Sequence, residues 1–351
     1  MLHNVEATIG GKPLTVRTGE LAMQAGSAVT VTYGDTVILA TACMEKKPNE
    51  NVDFLPLTID YEEKLYAAGK IPGSFFRREG RPGQQAVLAS RLADRPIRPL
   101  FPKGFRNETQ VIITVLSADQ ENSPDVLGLV GASSALSISE IPFEGPIGAV
   151  RIGYNNGEFL VNPTFTQLQE SLLDLVVVST KDKVAMVEAG AREAAEKLIM
   201  EGIKFGHRVN QDIIAMQQEL VGLCGKPKAE FKPATLSFGL EEDVTAALGS
   251  RVARLIGQGR IERDQAIAAL EEELLKNLGE QYPKHEIISV LEAKVKAEIR
   301  SAILKKGLRP DGRGIMEIRT LSCAVGLLPR THGSGLFTRG LTQVLKIATL
   351  G

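Results

Sequence analysis

A change of residue periodicity divides this chain and limits what it can fold into. From Glu241 to Lys306 apolar residues recur at helical spacing, with Val244, Leu248, Val252, Leu255 and Ile256 on one face and similar stripes through AIAALEEELLKNL and IISVLEAKVKAEIRSAIL. On both sides of that stretch the pattern is mixed, with β-branched runs and turn signals. No single sheet can therefore run through the sequence. At 351 residues the chain also exceeds what one hydrophobic core usually organises. Residues 226–239, KPKAEFKPATLSFG, carry two prolines and several lysines without periodicity and read as a linker. The expected organisation is a mixed domain over 1–225, the linker over 226–239, an all-helical domain over 240–306 and a further strand-bearing segment over 307–351, which makes the fold class α+β.

Within the first domain, ATIGGKPLTVRTG and AVTVTYGDTVILATA predict strands joined at Gly-Gly and Gly-Asp turns, and VIITVLS predicts another strand. The small apolar run from Asp125 to Ser139, preceded by Ser123-Pro124, predicts a buried helix with an N-cap serine and a first-turn proline. Asn155-Asn156-Gly157 marks a hairpin turn, LLDLVVVSTKDKVAMVEAG a second hairpin, and Arg192 to about Leu223 a helix closed by Gly225-Lys226-Pro227. The elements Gly26-Ser27-Ala28, Gly34-Asp35-Thr36 and Ala40-Thr41 are echoed by Gly333-Ser334-Gly335, Gly340-Leu341-Thr342 and Ala348-Thr349. The order is that of one copy, a helical insert and the beginning of a second copy.

Global charge points to no polyanionic partner, because 41 basic and 42 acidic side chains leave a net charge of -1. The local distribution is different. Between residues 77 and 106 stand Arg77, Arg78, Arg81, Arg91, Arg95, Arg98, Lys103 and Arg106 against only Glu79 and Asp94, an excess of six positive charges. A helix over about Gln84 to Asp94, ending before Pro96, sets Arg91 and Arg95 on one face. Immediately upstream, GSFFRREGRPG places Phe75 and Phe76 between glycines beside Arg77, Arg78 and Arg81. Guanidinium forks grip phosphate oxygens, and exposed aromatic rings stack on unpaired bases, so this stretch reads either as a platform for single-stranded nucleic acid or as a solvated basic surface with structural ion pairs.

Cys43, Cys224 and Cys323 lie far apart, which suits a reducing cytoplasm and argues against a disulfide framework or zinc site. The start MLHNVEATIGGK is expected to be neither a signal peptide nor a membrane anchor. His3, His207, His285 and His332 are scattered, and Asp174, Asp182 and Glu188 read as solvated carboxylates, so no metal ligand is expected. Taken without further context, Arg309-Pro310-Asp311-Gly312-Arg313 is a turn.

GKIPGSFFRREGRPG and SRLADRPIRPLFPKGF, with NSPDVLGLVGASSALSISEIPFEGPIGAVRIGY and LPRTHGSGLFTRG, resemble the polynucleotide phosphorylase family along the whole chain. The resemblance implies an N-terminal portion: a ribonuclease PH-like domain, an all-helical linker domain and the start of a second ribonuclease PH-like domain. It implies 3′ to 5′ phosphorolysis of single-stranded RNA in mRNA turnover, with inorganic phosphate as co-substrate, Mg2+ as cofactor, and a homotrimer that can join an RNA-degradation complex. In that picture Phe75 and Phe76 stack on bases while Arg77, Arg78 and Arg81 hold phosphates. Arg95 and Arg98 serve the same groove or, alternatively, form buried ion pairs. Family catalysis is expected in residues beyond Gly351, so no catalytic or metal-binding residue is expected here and the 351-residue chain alone is expected to be inactive. The alternative is a noncatalytic RNA-binding or assembly module. Leu341 and Lys346 depart from the family pattern near the end.

Overall fold

The computed structural model describes residues 1–49, 52, 54–73, 75–231 and 236–351. Two compact units result, Met1–Ala234 and Thr235–Gly351. The first opens with β1 (His3–Ile9), β2 (Lys12–Thr18), β3 (Ser27–Tyr33) and β4 (Thr36–Pro48), each antiparallel to the next. Gly10 and Gly11 turn the first hairpin at φ of 57° and 79°, a region that L side chains rarely adopt. β5 (Leu57–Glu63) then lies parallel to β6 (Asn107–Ser117), which pairs antiparallel with β4, giving the order β1-β2-β3-β4-β6-β5. β5 is not among the expected strands, although Leu57, Ile59 and Tyr61 alternate with Thr58, Asp60 and Glu62 and the apolar set is the buried one. Its hydrogen-bonding partner lies about 50 residues downstream, and parallel pairing leaves no turn signature between the strands.

Between β5 and β6 runs α1 (Gln84–Ile97), which packs on β5. It extends past the expected end at Asp94, because Pro96 falls in its last turn and the chain tightens directly into a 3-10 turn over Arg98–Leu100. α2 (Pro124–Ile138) is buried along nearly its whole length, as its small apolar sequence predicts. Ser123 stands at its N-cap position, but the hydroxyl donates to Asp125 Oδ1 rather than accepting from the helix. Close approach to the large sheet depends on Gly128 and Gly131, where an added Cβ would lie 2.9 Å from Ile113 Cγ2 and 2.6 Å from Ile38 Cδ1.

A second sheet follows: β7 (Gly148–Asn155), β8 (Glu158–Val161), β9 (Leu173–Ser179) and β10 (Val184–Ala191) in the order β10-β9-β7-β8, with the short helix α3 (Phe165–Glu170) before β9. α4 (Glu196–Cys224) packs on this sheet and on α2. The interface between these layers is tied by polar groups, Gln217 Nε2 donating to the Ile147 carbonyl and Asn210 Nδ2 to that of Val177. Residues 226–231, placed by the sequence reading at the start of a linker, are held on the first unit. Lys226 N donates to Ile138 O, Phe231 meets Phe105 edge to face at 5.5 Å, and Lys228 Nζ donates to the carbonyls of Leu136, Ser137 and Ser139 at the end of α2.

In the second unit, α5 (Leu240–Leu248), a 3-10 turn over Arg251–Leu255, α6 (Arg260–Leu278) and α7 (Lys284–Lys306) bury Leu240, Val244, Leu274, Ile287 and Leu291 in one core. The Arg309–Arg313 stretch is a closed turn in which Arg309 N donates to Arg313 O and Asp311 pairs with Arg313. β11 (Leu321–Val325), β12 (Gly333–Arg339) and β13 (Thr342–Ala348) then form an antiparallel sheet. The internal echo maps onto matching hairpins: β3 and β4 close with Tyr33 opposite Thr36, β12 and β13 with Arg339 opposite Thr342, and the first turn residue is Gly34 or Gly340 at φ near 60° in both (62° and 59°).

Candidate nucleic-acid interface

The basic stretch is an exposed loop joined to the edge of the six-stranded sheet. After β5 a 3-10 turn over Leu65–Ala68 ends at Gly69 in the left-handed conformation, and the Ala67 carbonyl accepts from Ala118 N just past β6. From there the chain runs outward to Phe75 and Phe76 and returns to α1 at Gln84. Both rings are held out in solvent, at 94% and 75% exposure, and they meet edge to face with centroids 5.4 Å apart. Burial would be the normal fate of two phenylalanines, so their exposure beside arginines is the informative observation. Arg77 takes a positive φ of 52°, a strained conformation for a side chain of its size. Among the described residues, Arg77 and Arg81 have no hydrogen-bond or ion-pair partner. A shallow groove beside the loop is lined by Leu65, Pro72, Phe76, Arg78 and Glu79.

The other two arginines of the expected site are placed differently. Arg98 is partly exposed but fully engaged: Nε and Nη2 donate to Asp94, Nη2 also to the Leu57 carbonyl, and Nη1 to that of Leu55. Its pair with Asp94 is half-exposed rather than the buried pair of the alternative, and its bonds to Leu55 and Leu57 brace the entry to β5. Arg95 lies at the surface with Nη1 at 2.7 Å from Glu188 Oε2, an exposed pair that costs little to open. The four-residue spacing of Asp94 and Arg98 is legible in the sequence, but the partners Leu55, Leu57 and Glu188 come from distant segments and no spacing shows them.

A second cleft opens above β5, between α1 and the start of α2, lined by Tyr61, Glu63, Leu88, Asp125, Arg151 and Glu188 among others. Arg151 sits between Asp125, at 2.6 Å, and Asp174. Burial opposes its charge, but the two carboxylates outweigh that and hold the guanidinium firmly protonated. Tyr61 is buried with its hydroxyl unpartnered, and burial, then Asp125 and Glu63, pushes its ionisation far up. Of the three carboxylates read as solvated, Asp174 and Glu188 are thus ion-paired. Among the described residues no group of His, Cys, Asp and Glu could hold a metal ion. The donor set does not fit Mg2+, because Asp125 and Asp174 share the Arg151 guanidinium and Glu188 pairs with Arg95. No helix among the described residues is long and apolar enough to cross a membrane.

Three family models match in sequence: the 3′ exoribonuclease family, domain 1, over residues 10–142; the same family, domain 2, over 145–209; and the polyribonucleotide nucleotidyltransferase RNA binding domain over 239–314. With the sheets above, these define a ribonuclease PH-like domain, a helical region and the start of a second ribonuclease PH-like domain. The polyribonucleotide nucleotidyltransferase of Dehalococcoides mccartyi is 51% identical over 350 residues, an alignment covering 99% of this chain and 49% of the relative. That of Roseiflexus sp. is 50% identical over 362 aligned residues, covering 100% and 48%. A solved structure, rice (Oryza sativa) Rrp46, aligns at a TM-score of 0.48 with 13% identity, over 63% of this chain and 94% of that one. The chain belongs to the polyribonucleotide nucleotidyltransferase family and carries its N-terminal portion. It spans about half the length of the curated relatives it matches.

Proposed function

We propose that these residues guide single-stranded RNA in a phosphorolytic 3′ to 5′ exoribonuclease, with Phe75 and Phe76 stacking on bases and Arg77, Arg78 and Arg81 holding phosphates. The observation that carries this reading is the solvent-held Phe75–Phe76 pair beside Arg77 and Arg81, which have no partner among the described residues. Arg95 belongs to the same surface once its pair with Glu188 opens, whereas Arg98 acts as a brace. In the reaction an oxygen of inorganic phosphate bonds to the phosphorus of the terminal phosphodiester, the P–O3′ bond breaks, the 3′-oxygen of the shortened RNA leaves and takes up a proton, and the terminal nucleotide is released as a nucleoside diphosphate; Mg2+ would neutralise developing charge at a site not built from the residues described above. A homotrimer in the cytoplasm, engaged in mRNA turnover and able to join an RNA-degradation assembly, is the setting in which this activity is proposed.

A second reading, a noncatalytic RNA-binding or assembly module, is favoured for residues 1–351 taken alone by Arg151. Its guanidinium pairs with Asp125 and Asp174, so these carboxylates of the first unit act as structural partners in this reading. The test is one purified preparation assayed twice. Labelled oligouridylate should bind, and Phe75→Ala/Phe76→Ala should weaken binding by about 1 to 3 kcal/mol for each base that no longer stacks, with circular dichroism unchanged. Phosphate-dependent release of nucleoside diphosphate from the same preparation is expected to be absent. Release that vanishes with Asp174→Asn would instead place chemistry in the first unit.

A further inference from the structure

The loop GSFFRREGRPG contains a single acidic side chain, Glu79, set between Arg78 and Gly80. Beside a polyanion, an acid is expected to repel, and on charge alone its removal should tighten binding. The geometry assigns Glu79 the opposite role: it is a positioning residue, a staple that holds the aromatic and basic tip in the arrangement that meets RNA. This inference rests on the RNA-binding reading of the loop.

Glu79 Oε1 accepts a hydrogen bond of 2.9 Å from the backbone N–H of Leu65. Leu65 opens the 3-10 turn, and the preceding residue, Lys64, gives no side-chain cap, so this N–H is one of the orphan donors left at a helical start. The carboxylate reaches back across 14 residues to satisfy it. Its anchor is firm, since the same 3-10 turn is bonded through Ala67 O to Ala118 N at the end of β6. The tie therefore joins the returning limb of the loop to the edge of the main sheet and closes off Gly69, Gly73, Phe75, Phe76 and Arg77. Without a tie, a stretch with this many glycines would sample many conformations, and binding would have to order it. The left-handed φ of Arg77 needs external restraint of this kind to persist. Glu79 and Arg78 also line the same groove beside Phe76, so the staple lies against the surface it shapes.

Two substitutions separate position from charge. Glu79→Gln keeps an acceptor oxygen for Leu65 N–H and removes the charge; Glu79→Ala removes both. Oligouridylate affinity of the full 351-residue chain would be measured by fluorescence anisotropy. Trypsin cleavage after Arg77 and Arg78, without RNA, reports loop order independently. Glu79→Ala is expected to weaken binding about 5- to 10-fold, from the missing hydrogen bond and the ordering it supplied. Glu79→Gln should bind within about twofold of wild type, or tighter. Tryptic cleavage should accelerate in the alanine variant only. Alanine binding as tightly as glutamine, or tighter than wild type, would reduce Glu79 to a repelling charge and overturn the proposal. Equal loss in both variants with equal acceleration of cleavage would also overturn it. If Arg77→Ala/Arg81→Ala left RNA affinity unchanged, the RNA reading would fail, while the tryptic pattern would still decide the staple.

Discussion

Arginines that look alike in sequence should separate cleanly under salt. Arg77 and Arg81 project from the loop without partners among the described residues, whereas Arg98 spends its donors on Asp94 and on the carbonyls of Leu55 and Leu57. Each phosphate neutralised on a single strand contributes about 0.7 to the slope of log affinity against log salt. Removing both guanidinium groups with Arg77→Ala/Arg81→Ala should therefore flatten the slope by about 1.4, so that between about 50 and 200 mM salt the variant loses roughly sevenfold less affinity than wild type. Arg98→Ala should leave the slope alone and cost stability instead. Two carbonyls lose their donor and Asp94 its partner; at about 1 kcal/mol for each of the three, lessened because the Arg98 side chain is partly exposed, the loss is about 2 kcal/mol. Anisotropy titrations of labelled oligouridylate at four salt concentrations, with urea unfolding of each variant, read both effects. An unchanged slope in the double variant, or a slope in Arg98→Ala that falls as far, would refute the separation.

Other consequences follow from the packing. Burial pushes Lys228 down to about 8, below its ordinary 10.5, so from pH 8 to 10.5 the unfolded chain binds more protons at this group. Stability relative to Lys228→Met should accordingly rise with pH across that window, and a flat or falling difference in urea unfolding would contradict it. At Gly148 on β7 an added Cβ would lie 2.6 Å from the Asn210 backbone oxygen of α4, so Gly148→Ala should destabilise by about 1 to 3 kcal/mol, seen as a lower urea midpoint.

What the sequence determined by itself is whatever rests on neighbours in the chain. The Gly34-Asp35 and Gly340-Leu341 turns, the buried character of the Asp125–Ser139 run and the helical stripes after Glu241 are local patterns, and the elements form where those patterns stand. The phenylalanine–arginine loop was legible for the same reason, since two aromatics between glycines and arginines have no apolar face to join. Tertiary structure decided the rest. The alternation over residues 57–61 is local, but that β5 pairs in parallel with β6 was decided by folding, and residues 226–231 are docked because the end of α2 offers three carbonyls to Lys228. Arg98 became a brace and Arg95 a surface pair only when Leu55, Leu57 and Glu188 were brought alongside them, and Glu79 became a tie only when the chain turned back to Leu65. A side chain's charge is written in the sequence, but the groups that consume that charge are contributed by distant segments, and only folding selects them.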